Sequence, residues 1–132
     1  MDNNKLIELA KEAREYAYPH ITGFKVGAAL LTTCGKIFTG CNIEDPSGIG
    51  VTNICAERCA MVKAISEGYK EFDKLAVVGG MIELITCLPC GACRQYMKSF
   101  NYRMTIVSLN DNNEILEFKL SELLPFSFNE TF

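Results

Sequence analysis

A layered α/β domain built on a mixed sheet is the fold class that the order of apolar segments predicts. Three observations carry the prediction. Strand-length apolar segments alternate with segments of helical spacing along the 132 residues. Residues 26–32 and 37–41 flank the short stretch Thr33-Cys34-Gly35-Lys36, which reads as an antiparallel hairpin. The later strands are separated by helices, and crossovers of that kind permit parallel neighbours.

Asn3-Asn4 is placed to cap a first helix. Its apolar residues Leu6, Ile7, Ala10, Ala13, Tyr16 and Ala17 recur at helical spacing until Tyr18-Pro19 ends the run. The hairpin follows. Residues 42–53 contain Pro46, Gly48 and Gly50 and read as a loop. Residues 54–67 carry a helical pattern, with Gly68 as its stop. Residues 75–80 read as a strand, and 89–100 as a helix that opens with a proline. Residues 103–109 and 114–118 read as strands around the turn Asp111-Asn112-Asn113, and 120–124 as a last helical turn. The two central helices are expected on one face of the sheet.

Composition confines the function classes. Hydrophobic residues make up 48% and charged residues 22%, as in one ordinary globular domain spanning residues 1–132. The net charge of -3 and a pI near 5.2 argue against a nucleic-acid strand as main partner. No apolar run is long enough to span a bilayer. The opening Met1-Asp2-Asn3-Asn4-Lys5 lacks a secretory pattern, so a cytoplasmic location is expected. Seven cysteines is a high, odd number for this length. In a reducing compartment, closely spaced cysteines point to metal or catalysis before disulfides. Cys34, Cys41, Cys59 and Cys87 are read as small buried apolar residues.

The strongest chemical signal is Cys55-Ala56-Glu57 followed by Pro89-Cys90-Gly91-Ala92-Cys93. Three sulfurs, from Cys55, Cys90 and Cys93, leave one position of a tetrahedral zinc open, as catalysis requires. A structural site closed by Cys59 or Cys87 is the alternative. His20, the only histidine, reads as a surface or loop residue. The cysteines fall in the first turns of two helices, where free backbone N–H groups and the positive dipole end favour thiolates. Three thiolates leave zinc with a net negative charge and a weaker pull on water. Arg58 and Arg94 are placed to donate to sulfur and offset that charge. Glu57, two residues from a ligand, suits a proton carrier; a structural zinc site has no use for it.

At these residues the chain resembles the cytidine deaminases, whose signature is C-A-E or H-A-E followed by P-C-x-x-C. The resemblance extends to Phe24-Lys25-Val26-Gly27-Ala28-Ala29-Leu30, to Gly40-Cys41-Asn42-Ile43-Glu44 and to Leu123-Leu124-Pro125, so it covers nearly the whole chain. It implies a three-layer cytidine-deaminase-like fold, with a mixed five-stranded sheet and helices on both faces. It also implies one zinc ion per subunit, a small-molecule nucleoside substrate and a homotetramer. The implied reaction is hydrolysis of cytidine and 2′-deoxycytidine to the uridine products and ammonia, as in pyrimidine salvage. Asn42 and Glu44, at i and i+2 of an extended segment about 7 Å apart, would hold the ribose hydroxyls. Phe24 would wall the pocket, the Ala56 backbone would orient the base, and Phe128 would reach a neighbouring subunit's site. Residues 45–54 depart from the pattern: the loop is longer than the commoner family form and has no Tyr. A deaminase of another aminated heterocycle such as blasticidin S, and a non-catalytic zinc-stabilised module, are the competing readings.

Overall fold

The computed structural model describes residues 1–128. Its elements are α1 (Asn3–Arg14), β1 (Lys25–Thr32), β2 (Ile37–Cys41), α2 (Ala56–Ser66), β3 (Phe72–Gly80), α3 (Gly91–Lys98), β4 (Thr105–Leu109), β5 (Ile115–Lys119) and α4 (Leu120–Leu123). One five-stranded sheet runs β2-β1-β3-β4-β5. β1 is antiparallel to both β2 and β3, β3 and β4 are parallel, and β4 and β5 are antiparallel. The mixed sheet predicted from the segment order is therefore present.

Successive residues of a strand point to opposite faces, and both faces of the central strands are covered. Ala29, Leu31, Ala76, Val78, Val107 and Leu109 pack against Leu6, Ile7 and Ala10 of α1. Leu30, Leu75, Val77 and Ile106 pack against Ala60, Met61 and Ala64 of α2 and Cys93 and Met97 of α3. α2 and α3 thus share one face, and α1 takes the other. Truncating the fully buried Met61 or Met97 to alanine would cost about 2–5 kcal/mol. Gly40 lets α2 lie directly on β2: a side-chain carbon there would be 2.5 Å from Ala60 N and 2.6 Å from Ala56 O.

The boundaries move for local reasons. Asp2, rather than Asn3-Asn4, caps α1, its Oδ1 accepting from Lys5 N–H at 2.8 Å. α1 stops at Arg14, whose guanidinium donates to Gly80 O at 2.6 Å and Lys25 O at 3.2 Å; Tyr16 and Ala17 lie in the turn beyond. α2 and α3 begin one residue after Cys55 and Cys90, which are extended N-cap residues with ψ 154° and 167°. β3 begins earlier than predicted, at Phe72, which is buried. The two N-caps face a common space where β1 begins and β2 and β3 end.

Candidate active site

Cys55 and Cys90 are the N-caps of α2 and α3, and Cys93 lies in the first turn of α3. Neither N-cap sulfur makes a capping hydrogen bond. The three sulfurs lie within 4.8 Å of one another. Cys55 Sγ and Cys90 Sγ are 3.7 Å apart. Tetrahedral zinc with bonds of about 2.3 Å needs sulfurs about 3.8 Å apart, so the donor set fits that ion. Among the described residues, neither Cys59 nor Cys87 joins the group. His20 is exposed and stacks on Tyr18 at 5.7 Å.

Charge at the cluster is shared. A hydrogen bond from Cys93, with Arg58 beside it, brings the Cys55 thiol down to about 5. The same contact with Cys55, and burial, push Cys93 up. Arg58 Nη2 donates to Cys55 Sγ at 3.5 Å, and the buried Arg58 Nε has no partner among the described residues. Arg94 departs from expectation. Its Nε donates to Pro89 O and its Nη1 to Leu123 O, each at 2.7 Å, so it fixes the backbone before Cys90 instead of a sulfur. The cause is the helical step: Arg94 leaves α3 on the side of α4.

Glu57 stands in the first turn of α2, is only 4% exposed and lines the same pocket as Cys55 and Cys90. Burial pushes its carboxyl up to about 7, with charge on Cys55 adding to the effect. A carboxyl poised there can both accept and return a proton near neutral pH.

The pocket holds about 270 Å³, and Phe24, Asn42, Glu44 and Ala56 all line it. Ala56 is the first residue of α2, where a backbone N–H has no acceptor within the helix. Asn42 clips two strands together: its Oδ1 accepts from Val26 N–H at 2.8 Å and its Nδ2 donates to Phe24 O at 2.8 Å. Glu44 accepts from Ile21 N–H at 2.8 Å, Thr22 N–H at 2.9 Å and the Thr22 hydroxyl at 2.7 Å. Those bonds, the Thr22 hydroxyl first, hold its carboxyl below the usual range. By donor and acceptor count, Asn42 retains one N–H and one lone pair, and Glu44 retains lone-pair capacity. Phe128 does not line this pocket; its ring is exposed, and its carbonyl accepts from Gln95 Nε2 at 3.1 Å and Lys98 Nζ at 2.9 Å.

Thr22, Asn53, Ile54 and Leu88 also shape the site without any role expected from the sequence, and Val26 and Cys87 join them at the wall. Cys87, expected to be an inert core thiol, is a pocket wall, and burial pushes it up to about 12. Its place three residues before Cys90 was the available signal. Cys34 is exposed in the hairpin turn, not buried. The long loop is stapled: Asp45 accepts from Ser47 N–H at 2.8 Å, the Ser47 hydroxyl at 2.7 Å and the Thr52 hydroxyl, and Asp45 N–H donates to Asn53 Oδ1 at 2.6 Å.

Residues 1–109 match the family described as the cytidine and deoxycytidylate deaminase zinc-binding region. The chain is 46% identical to the cytidine deaminase of Halalkalibacterium halodurans over 129 residues, covering 97% of this chain and 95% of that one. It is 45% identical to the cytidine deaminase of Sporosarcina psychrophila over 131 residues, covering 98% and 93%. The crystal structure of cytidine deaminase from Burkholderia pseudomallei superposes with a TM-score of 0.87 at 41% identity, over 97% of this chain and all of that one. Sulfur cluster, fold and sequence agree: the chain belongs to the cytidine and deoxycytidylate deaminase family.

Proposed function

We propose that this protein hydrolyses cytidine and 2′-deoxycytidine to uridine and 2′-deoxyuridine, releasing ammonia. The observation that carries the reading is the buried Glu57 carboxyl, held near 7 in a pocket that it shares with the sulfur cluster. Cys55, Cys90 and Cys93 would hold zinc, which would supply the Lewis acidity that makes water a nucleophile at neutral pH. Arg58 offsets the charge of the thiolates. Phe24 walls the pyrimidine, and the remaining valences of Asn42 and Glu44 take the sugar hydroxyls. The Ala56 backbone meets the ring edge.

Glu57 then does the proton work. It takes a proton from the attacking water as oxygen bonds to C4 of the ring. It gives that proton to N3, which relieves the charge that the attack pushes onto the ring. It takes the remaining hydroxyl proton and delivers it to the amine, and the C4–N bond breaks with release of ammonia. Burial of Glu57 keeps bulk water from these contacts and strengthens each of them.

Residues 1–128 share one sheet with helical layers on both faces, which supports a single domain over residues 1–132. A homotetramer is part of the proposal, as is a cytoplasmic role in pyrimidine salvage. Val51, Phe126 and Phe128 are 91%, 97% and 73% exposed in the single chain, as expected of surfaces that another copy covers. No described helix is long and apolar enough to cross a membrane. The net charge of -3 favours a free nucleoside over a nucleic-acid strand. The test is the fall in cytidine absorbance, run with and without a chelator and again after zinc is restored. Turnover that the chelator leaves intact would sink the zinc role. No turnover of cytidine alongside turnover of blasticidin S would replace the substrate.

A further inference from the structure

Gly79 is the penultimate residue of β3 and pairs with Val26 of β1. By strand alternation it shares a face with Leu75 and Val77, the face that α2 and α3 cover. Its φ is not positive, so backbone conformation does not demand glycine there. Space does. A side-chain carbon at this position would lie 2.8 Å from Cys87 Sγ, 3.0 Å from Phe24 Cε1 and 3.2 Å from Val26 Cγ2. All three of those residues line the pocket. They meet over bare backbone.

The wall residues have little freedom to retreat. The Ser108 hydroxyl is shared between Cys87 O at 2.6 Å and Val77 O at 2.8 Å, which ties the Cys87 backbone to the sheet. Ile85 N–H donates to Gly79 O at 2.9 Å and fastens the segment that leads to Cys87. Asn42 Nδ2 holds Phe24 O at 2.8 Å. With the backbones held, a methyl group at position 79 would drive the side chains of Cys87 and Phe24 into the pocket.

We propose that Gly79 is a positioning residue for the deamination: its bare Cα lets Phe24, Val26 and Cys87 converge and so sets the width of the slot for the flat pyrimidine ring. This rests on the cytidine deaminase reading. The Cys87 sulfur is the nearest obstacle, so it is also the natural site of compensation.

The experiment measures kcat and KM for cytidine, zinc per chain and Tm in Gly79→Ala, Cys87→Ala and the double variant, all zinc-loaded. One added methyl in a pocket wall should raise KM for Gly79→Ala by about tenfold or more, with a smaller change in kcat and full zinc. In the double variant the new methyl takes the space that the sulfur leaves, and KM should return to that of Cys87→Ala. A KM for Gly79→Ala within about twofold of wild type, or a double variant as impaired as Gly79→Ala, overturns the inference. Should Gly79→Ala fail to fold, Cys87→Met enlarges the side chain that rests on Gly79 and narrows the slot from the same wall. A raised KM in Cys87→Met then supports the inference, and an unchanged one overturns it. Wild-type protein inactive on cytidine overturns the deaminase reading together with this one; active wild type with an indifferent position 79 overturns this one alone.

Discussion

The two ends of the pocket are built in different ways. At the sulfur end, Cys55, Glu57 and Arg58 belong to one helix start and Cys90 and Cys93 to another. At the opposite end, Glu44 depends on Thr22 and Ile21, and Asn42 on Phe24 and Val26, each partner 16 to 23 residues away. The sulfur end is local geometry repeated twice. The far end is tertiary: its polar groups are already engaged within the fold and offer a ligand only their remaining valences. The sulfur end should therefore govern rate and metal content, and the far end substrate affinity.

The largest expected effect tests that division at Glu57. Glu57→Gln should lose about 10²–10⁴ in kcat while keeping its zinc, read by steady-state kinetics and metal analysis. Retained turnover would remove the proton carrier from the sulfur end.

The same variant has a thermodynamic signature. In the metal-free protein, burial holds Glu57 at about 7, above the ordinary 4.5. The folded chain then binds this proton more tightly than the unfolded chain does. The stabilising contribution is complete below 4.5 and lost as pH rises through 7. Metal-free Glu57→Gln should gain about 3 kcal/mol over metal-free wild type above neutrality, and the gain should vanish in acid. Parallel urea-melt stabilities across that range would contradict the burial argument.

Arg58→Gln should weaken zinc binding by about 10–100-fold, measured by competition with a chromophoric chelator. The smallest effect belongs to the far end. Thr22→Val removes one bond to the Glu44 carboxylate and should raise KM for cytidine by about tenfold, with zinc content unchanged. A loss of metal in that variant would show that the two ends are not separable.

What the sequence made legible follows the same line. The element order, the shared face of α2 and α3 and the sulfur trio come from short-range pattern, where period and spacing report geometry directly. Arg94 shows the limit. Its neighbour Cys93 suggested a sulfur partner, but its acceptors are Pro89 O and Leu123 O, and the second is set by how α4 docks. Cys87 has a local signal in its place three residues before Cys90, but its seat at the pocket wall depends on Gly79, which no neighbouring residue reveals. The bonds of Asp45 to Ser47 and Thr52 were equally hidden, since a loop with proline and two glycines reads only as irregular.

Arg94 also imposes an order of events. One guanidinium bolts the residue before Cys90 to the last residue of α4. On the ribosome, a nascent chain not yet made as far as Leu123 lacks the second of these anchors. Pro89 is then held by Arg94 from within α3 alone, so the final seating of the backbone that leads into Cys90 waits for the last helix to emerge and dock.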